Sequence, residues 1–415
     1  MTAAPEPRRL VVVGASAAGL AVVEEVRRRG FTGEVTLIGD EPGLPYDRPP
    51  LSKQLLAGEW ETDRLLLRPG EQWEALGVTY LPGTAAGGLD TQARLVRLVN
   101  GATCEYDALV IATGAAAVHP VSLGAGLAGS QVLRSLPDAL RLRSALAQGG
   151  RLVVVGAGFV GAEAAAVARD MGLPVTMIDP LPLPMVGVLG EEVAQMLAER
   201  HRAAGVDLRC GVGVTEALSE AGRTTGVALD DGSVVNATNV LVAVGARPAV
   251  GWLADSGVPL GDRKRLGVEG VLCDKAGRVG EGIWAAGDVA AWFDPASGRH
   301  QRGEHRLAAT EEGRTVAAAL LGADLPAPSL PYFWSDQYDL KLQSYGTTGR
   351  DMAFTVVEGS LSTGRFIGVY GHRDSDGLPR TVDGVLGNGM ARSLRAWRRA
   401  VLDRAAWPVA APSAV

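Results

Sequence analysis

The stretch LVVVGASAAG at residues 10–19 decides the fold. It is a short run of aliphatic residues that ends in a glycine and leads directly into residues 15–29, which have helical character. A second apolar run follows at residues 34–39 and is closed by Asp40. Continuous apolar strands that alternate with helices are typical of a parallel sheet with helices on its faces. The stretch therefore predicts the first strand, turn and helix of an α/β domain.

The same order of elements returns in the middle of the chain. Residues 152–155 form the strand, GAGFVG at residues 156–161 the turn, and residues 162–171 the helix. Residues 175–178 are a second strand, which Asp179 closes. The repeat predicts two domains of the same kind.

Each copy has the form of a dinucleotide-binding fingerprint, in which every position has a physical task. The first turn position makes the tight turn, the second lets the backbone approach a pyrophosphate, and the third lets helix and strand pack closely. The helix N-terminus offers free N–H groups to the phosphates, and the acid after the second strand suits the ribose hydroxyls. The turn positions are Gly14, Ser16 and Gly19 in the first copy and Gly156, Gly158 and Gly161 in the second. One such turn fits an ordinary strand–helix connection equally well, but two copies in the same context favour dinucleotide binding.

Composition narrows the classes of function. The formal net charge of −6 lacks the basic footprint that nucleic-acid binding needs. The three cysteines, Cys104, Cys210 and Cys273, lie far apart in the sequence, which fits a reducing compartment and excludes a close-spaced dithiol as redox centre. No apolar run approaches the roughly 18 residues of a membrane span. We therefore expect a cytoplasmic protein that binds neither nucleic acid nor membranes.

Several further segments carry a family resemblance. The most informative is PYDRPPLSK at residues 45–53, directly after the first βαβ unit. The others are LRSL at residues 133–136, GAE at 161–163, AGD at 286–288 and FWSDQ at 333–337. With these in order, the chain resembles the putidaredoxin reductase-like ferredoxin reductases, flavoproteins that serve haem-thiolate monooxygenases and Rieske dioxygenases. The resemblance runs over nearly the whole chain.

The resemblance implies an α/β fold like that of glutathione reductase, with two Rossmann-like dinucleotide-binding domains and a C-terminal α+β domain. From the repeat, we expect the FAD-binding domain at residues 1–120 and 246–325, the NAD-binding domain at residues 121–245 and the C-terminal domain at residues 326–415. Residues 282–290, GIWAAGDVA, predict a strand, a glycine turn and a helix opened by an acid.

The resemblance also implies where each cofactor binds. Lys53 would lie beside the reactive nitrogen of the flavin, and Lys53 and Glu163 are the expected catalytic residues. The expected FAD contacts are Gly14, Ser16, Ala18, Gly19, Asp40, Lys53, Arg134, Asp288, Arg306 and Trp334. The expected NADH contacts are Gly156, Gly158, Gly161, Glu163, Asp179 and Gly245. No metal site is expected.

Two residues near the expected flavin site depart from the family pattern. Arg306 stands where the family usually has an aromatic residue, and Ala308 where it usually has asparagine. Arg306 could touch the flavin or pair with an acidic partner protein, and it fits an ordinary surface arginine equally well.

The C-terminal segment suggests a docking surface. Residues 390–406 predict a helix in which Leu394, Trp397 and Val401 share one face. The arginines of a neighbouring face are Arg392, Arg395 and Arg399. They are either solvated side chains or part of an electropositive dock for an acidic protein.

These features together predict an FAD-dependent NADH:ferredoxin oxidoreductase. Its partner would be a small, acidic iron–sulfur ferredoxin that feeds an oxygenase, and the chain would be a monomer or a weak dimer. NADH is expected over NADPH because Asp179 would repel a 2′-phosphate and no arginine follows in the next ten residues to accept one. A reductase of rubredoxin or of a small acceptor shares these motifs, as does a redox-sensitive binding protein like apoptosis-inducing factor.

Overall fold

The computed structural model describes residues 7–295, 297–327 and 329–407. The chain forms two compact units. Among the described residues, the first unit comprises those up to Asp47, Thr62–Ala116 and Ala246–Ser329. The second comprises Arg48–Glu61, Ala117–Gly245 and the described residues from Leu330 onward. Within the described ranges, every helix is too short or too polar to span a bilayer.

The first unit is built on a six-stranded sheet in which five strands run parallel. In spatial order its strands are Arg278–Gly280, Ile283–Ala285, Ala108–Ile111, Arg9–Val13, Glu34–Ile38 and Thr79–Leu81. Successive side chains of a strand point to opposite faces. Val12 therefore packs with the helices Ala17–Arg28 and Arg306–Leu320, whereas Val11 and Val13 belong to a second core on the other face.

Two smaller sheets complete the first unit. An antiparallel sheet contains Ala86–Asp90, Leu95–Leu98 and Thr103–Glu105, and a mixed sheet contains Leu260–Gly261, Gly270–Cys273, Ala290–Asp294 and Arg299–Gln301. Single turns of helix lie at Thr62–Leu65, Gly70–Gln72, Glu74–Leu76, Gly251–Leu253 and Arg263–Leu266. The remaining short strands are Ala115–Ala117, which runs into the second unit, and Ala246–Pro248.

The segment after Asp288 is not a helix, so that prediction is wrong. A turn leads directly into the strand Ala290–Asp294, which pairs in parallel with Gly270–Cys273. Ala290 and Ala291 are buried at this pairing. The partner strand lies elsewhere in the sequence, so the local pattern of glycine and acid does not reveal it.

The second unit contains a five-stranded parallel sheet, the second of the two predicted Rossmann-like sheets. In spatial order its strands are Asp207–Cys210, Val175–Asp179, Leu152–Val155, Asn239–Val242 and Ser130–Gln131. An antiparallel sheet adds Val214–Glu220, Arg223–Leu229 and Val234–Asn236. The helices of this part are Pro49–Ser52, Val121–Leu123, Leu136–Ala147, Phe159–Asp170, Val186–Leu189 and Glu191–Ala203.

The C-terminal part of the second unit is an antiparallel sheet with one helix. In spatial order the strands are Tyr332–Gln337, Leu340–Gly346, Gly384–Asn388, Arg365–Gly371 and Ala353–Ser360. The helix Ala391–Leu402 buries Leu394, Trp397 and Val401 on one face, as its spacing predicts. The predicted fold class, α/β with two Rossmann-like sheets and a C-terminal α+β part, is confirmed.

The two glycines Gly161 and Gly158 provide a test of how closely the helix Phe159–Asp170 packs on the strand Leu152–Val155 and the turn after it. A Cβ atom at Gly161 would lie 2.0 Å from the Gly156 carbonyl oxygen, whereas one at Gly158 would meet open space among the described residues. We expect Gly161→Ala to lower the free energy of unfolding by about 1–3 kcal/mol, as overpacking does. Gly158→Ala should change it by less than about 0.5 kcal/mol.

Denaturant unfolding followed by circular dichroism checks the pair of variants. Equal losses of stability in Gly161→Ala and Gly158→Ala would contradict the assignment of close helix–strand packing to Gly161 alone.

Candidate functional site

The turn after the first strand is shaped to receive a phosphate group. Gly14 has φ +116°, and a Cβ atom there would lie 2.0 Å from the Ala112 carbonyl oxygen, so only glycine fits. The helix Ala17–Arg28 begins directly after Ser16, whose side chain makes no capping hydrogen bond within the described chain. The first turn of the helix carries no acid. Its N–H groups and partial positive charge therefore remain available to an anion.

The second unit repeats this construction. Gly156 has φ +104°, and a Cβ atom there would lie 2.4 Å from the Ala243 carbonyl oxygen. The helix Phe159–Asp170 begins directly after Gly158, again with no acid in its first turn. Open space around Gly158 allows a ligand to approach the backbone. Both turns therefore fit the pyrophosphate of a dinucleotide.

The two acids that close the second strands differ in their surroundings. Asp40 is exposed. Asp179 is half-buried; its Oδ2 accepts a hydrogen bond from the Ala157 N–H at 2.7 Å and its Oδ1 one from the Leu181 N–H at 2.8 Å. Asp179 therefore orders the glycine-rich turn, and its oxygen atoms keep lone pairs for a further donor.

A buried ion pair joins the two residues expected to be catalytic. Lys53 and Glu163 are only 8% and 3% exposed. The Lys53 Nζ atom lies 2.7 Å from Glu163 Oε2 and also donates to the Pro49 carbonyl oxygen at 3.0 Å. The Ser52 hydroxyl donates to the same Oε2 atom, and the Ser335 hydroxyl donates to Oε1 at 2.8 Å. Both oxygen atoms of Glu163 are thus fixed by donors.

Three elements of the second unit bring this cluster together. Pro49–Ser52 is a tight helical turn, stiffened by two prolines, and Lys53 follows it with its N–H bonded to the Pro50 carbonyl oxygen. Glu163 lies on the buried side of the helix Phe159–Asp170. Ser335 lies on the strand Tyr332–Gln337, whose alternation buries Phe333, Ser335 and Gln337. Trp334, between two of these residues, is half-buried.

Arg134 and Gly245, also in the second unit, lie in ordered backbone. The N–H of Arg134 donates to Asp138 Oδ2 at 3.1 Å, and its carbonyl oxygen accepts a hydrogen bond from Arg48 Nη1 at 2.8 Å. Gly245 has φ +106°, and its carbonyl oxygen accepts from the Val118 N–H at 3.0 Å.

Arg306 is not a free surface cation. Its guanidinium group forms an ion pair with Asp47 and donates to the Thr310 hydroxyl. Arg306 therefore ties the start of the helix Arg306–Leu320 to Asp47, which belongs to the same unit. The separation in sequence, 259 residues, explains why the pairing was not predicted.

Glu312 is a residue that the sequence analysis missed. Its Oε2 atom accepts a hydrogen bond from the Gly287 N–H at 2.7 Å, so the Glu312 side chain lies against the turn at Asp288. Burial, together with the negative charge of Asp288, raises the pKa of Glu312 to about 8. The Asp288 backbone is held from another side by Arg302 Nη1, which donates to its carbonyl oxygen at 3.0 Å.

Comparison with known proteins identifies the family. The model described as pyridine nucleotide-disulphide oxidoreductase matches residues 8–313, and the one described as Reductase C-terminal matches residues 332–410. The chain belongs to the pyridine nucleotide-disulphide oxidoreductase family. It is an oxidoreductase that uses FAD and a nicotinamide nucleotide, and the sequence-based expectation of both cofactors is confirmed.

Individual relatives of this oxidoreductase cover nearly its full length. Rhodocoxin reductase of Rhodococcus erythropolis is 37% identical over 360 residues, which are 86% of this chain and 82% of that protein. The ferredoxin–NAD(+) reductase component of the anthranilate 1,2-dioxygenase system of Burkholderia cepacia is 35% identical over 357 residues, 86% of each chain. The covalent putidaredoxin reductase–putidaredoxin complex matches with a TM-score of 0.88 at 29% identity, over 96% of this chain and 94% of that one. The resemblance to ferredoxin reductases is confirmed.

Glu312 predicts a pH dependence of stability in this oxidoreductase. Because the folded protein holds a proton that the unfolded chain releases above its ordinary pKa of 4.5, the stability contributed by Glu312 is largest below that pH. It is lost as the pH rises from there to about 8. Glu312→Gln keeps an acceptor for Gly287 but carries no charge, so we expect it to be more stable than the parent at pH 9 by about 1–3 kcal/mol, and similar at pH 5.

Urea unfolding at pH 5, 7 and 9 checks this expectation. Glu311→Gln is the matched control, because it removes the same charge from the preceding residue and leaves the Gly287 contact intact. The charge of Glu311 adds only a small part of the rise in the Glu312 pKa. The assignment fails if Glu312→Gln and Glu311→Gln change the pH dependence equally.

Proposed function

We propose that this oxidoreductase is an NADH-dependent ferredoxin reductase that supplies an oxygenase. FAD, when bound, provides the redox chemistry by accepting a hydride from NADH and giving up electrons singly to an iron–sulfur protein. The observation that carries the proposal is the buried ion pair of Lys53 and Glu163 in a chain whose relatives are named ferredoxin reductases. We propose that the protein acts in the cytoplasm and that its chain divides into the FAD-binding, NAD-binding and C-terminal domains expected from the sequence.

Lys53 is proposed as the residue that assists flavin reduction. Its ammonium group is fixed by Glu163 and by the Pro49 carbonyl oxygen, and little water reaches it. A fixed cation in a dry site stabilises negative charge that develops nearby, at no cost of reorganisation. Glu163 orients the cation and is itself held at both oxygen atoms.

The chain's own cysteines favour an external electron acceptor. Cys104, Cys210 and Cys273 are all free thiols. Burial raises the pKa of Cys210 to about 11 and moves the pKa of Cys273 further above its usual range. Protonated, separated thiols do not take part in dithiol–disulfide exchange. Electrons are therefore proposed to leave for a partner protein.

The preference for NADH is proposed from Asp179. A carboxylate at the end of the second strand suits ribose hydroxyls and repels a 2′-phosphate. The next ten residues, PLPLPMVGVL, contain no basic side chain.

An aromatic–arginine face of the C-terminal part is the proposed dock for the ferredoxin. Trp334 stacks on Tyr332 with ring centroids 5.8 Å apart, Tyr332 lies 4.8 Å from Tyr345, and the Arg398 guanidinium lies 5.4 Å from the Tyr345 ring centre. Arg392, Arg395 and Arg398 on the adjoining helix are exposed, whereas Arg399, the third arginine of the predicted face, forms an ion pair with Asp403. A positive surface of this kind speeds encounter with an acidic partner. Arg306 is not included in the proposed dock, because its charge is paired with Asp47.

Two other functions compete with this proposal. A rubredoxin or small-acceptor reductase would pass electrons without any ferredoxin. A redox-sensitive binding protein would turn over slowly and accumulate a long-lived complex with NADH.

The test is NADH-dependent reduction of cytochrome c with a panel of acidic [2Fe–2S] ferredoxins, putidaredoxin among them. We expect turnover only when a ferredoxin is present, a lower kcat/KM for NADPH, and a steep fall with added salt, because surface charges are screened over about 8–10 Å at physiological ionic strength. Arg392→Gln/Arg395→Gln should lower ferredoxin-dependent turnover several-fold.

Two controls accompany the assay. Ferricyanide reduction needs no dock and should change little with salt or in the double variant. Arg263→Gln/Arg265→Gln removes the same charge from an exposed helix of the first unit and should leave ferredoxin turnover intact. Cytochrome c reduction that is indifferent to every ferredoxin would contradict the proposed function, and equal effects of the two double variants would contradict the dock.

A further inference from the structure

A line of buried polar side chains runs away from Glu163 through the second unit. Beyond Ser335, the Gln337 Nε2 atom lies 3.1 Å from Ser335 Oγ, and Gln337 Oε1 lies 3.0 Å from His201 Nε2. The His201 Nδ1 atom lies 2.9 Å from the Tyr338 hydroxyl. Ser335, Gln337 and His201 are at most 1% exposed. We call Ser335, Gln337, His201 and Tyr338 the Glu163 relay.

The chemistry of these groups fixes the direction of every hydrogen bond in the relay. Burial lowers the pKa of His201 to about 4, so its ring is neutral and carries one proton. Gln337 Oε1 can only accept, so that proton is on His201 Nε2 and the Tyr338 hydroxyl donates to Nδ1. Gln337 Nε2 then donates to Ser335 Oγ, whose own proton is left for Glu163 Oε1. All four protons point toward the carboxylate.

Two residues at the Glu163 relay, Tyr338 and Met185, have a strained backbone, which indicates that their surroundings hold them in place. Tyr338 has φ +56° in the two-residue turn between the strands Tyr332–Gln337 and Leu340–Gly346, a position that favours glycine or asparagine. Met185, whose sulfur lies 3.5 Å from Gln337 Nε2, also has φ +56°. Strained residues persist where the surroundings fix them, commonly at functional sites. Tyr338 occupies its turn position with its hydroxyl bound to His201.

The relay controls the Oε1 atom of Glu163, for which Ser335 is the donor among the residues that the structure describes. Lys53 and Ser52 both bond to Oε2, whereas Ser335 is the donor to Oε1. Without the hydroxyl of Ser335 the carboxylate could rotate about its last bond, and Lys53 would lose its fixed partner. The hydrogen bond from Gln337 in turn prevents the Ser335 proton from turning away, and His201 sets which way the Gln337 amide faces.

We propose that Ser335, Gln337 and His201 are positioning residues that hold Glu163, and through it the Lys53 ammonium group, in the orientation used for flavin reduction. Their link to flavin reduction rests on the proposed function, whereas their effect on the ion pair does not. The relay makes the C-terminal strand Tyr332–Gln337 a working part of the site that Lys53 and Glu163 form.

The first measurement is the reactivity of the Lys53 amine, which needs neither NADH nor ferredoxin. The purified protein is treated with limiting acetic anhydride, and acetylation of each lysine is quantified by mass spectrometry relative to the exposed Lys264. We expect Ser335→Ala, Gln337→Met and His201→Leu to raise Lys53 acetylation by about tenfold, the size of one hydrogen bond to a charged group. Acetylation of Lys341, exposed in the same unit, should not change.

A conservative variant and a double-variant cycle separate positioning from a general loss of structure. His201→Gln keeps an N–H donor for Gln337 and should restore Lys53 protection, whereas His201→Leu should not. In a Glu163→Ala background the relay has no carboxylate to hold, so Ser335→Ala should add less than about twofold. If the variants of the buried residues fold poorly, Tyr338→Phe supplies a milder change, because it removes one hydroxyl at a surface turn. We expect it to raise Lys53 acetylation by about twofold.

The second measurement is anaerobic stopped-flow reduction of the bound FAD by NADH. The relay variants should lower the limiting rate constant by about tenfold and leave the Kd of NADH within about twofold, since only the orientation of Lys53 changes. Unchanged Lys53 acetylation in Ser335→Ala and Tyr338→Phe, or effects that persist in full in the Glu163→Ala background, would overturn the relay. Increased acetylation with normal flavin reduction would retain the positioning of Lys53 and overturn its use in reduction.

Discussion

The buried ion pair of Lys53 and Glu163 is the interaction on which the rest of the site depends. Two charges withdrawn from water lose several kcal/mol of hydration each, and an ion pair recovers this only with good geometry and further hydrogen bonds. The fold provides both. The Pro49 carbonyl oxygen and the hydroxyls of Ser52 and Ser335 surround the pair, and these two serines lie 111 and 172 residues from Glu163 in the sequence. The residues Arg48–Glu61 accordingly belong to the second unit, although the chain on either side of them belongs to the first.

The C-terminal sheet serves this site and the surface at once. On the strand Tyr332–Gln337, Ser335 and Gln337 are buried beside Glu163 and His201, while Tyr332 and Trp334 alternate with them and stack on each other. Because successive side chains of a strand point to opposite faces, one short segment contributes both to the buried site and to the aromatic face. The same strand therefore links the proposed electron donor site, through its buried residues, to the proposed ferredoxin dock, through its aromatic ones.

The parts that the sequence predicted are those governed by local rules. The strand, glycine turn and helix of each fingerprint were predicted because a tight turn demands glycine and a buried strand demands apolar residues, and the helix Ala391–Leu402 because Leu394, Trp397 and Val401 share a face. The errors and omissions are non-local. The strand after Asp288 exists because it pairs with Gly270–Cys273, and Arg306 is neutralised by Asp47 across 259 residues. His201 and Gln337 are ordinary polar residues in sequence, and only the fold brings them together.

The most direct test of the account measures flavin reduction after removal of the Lys53 charge. Lys53→Met and the charge-neutral double variant Lys53→Met/Glu163→Gln are mixed anaerobically with NADH in a stopped-flow instrument, and the decay of flavin absorbance is followed at saturating NADH. The double variant matters because Lys53→Met alone leaves Glu163 buried without its cation. We predict that both variants retain bound FAD and that both are reduced about 10²-fold more slowly than the parent, the loss typical of one charge-stabilising group. Reduction of the double variant at the parental rate would contradict the central role assigned to the ion pair.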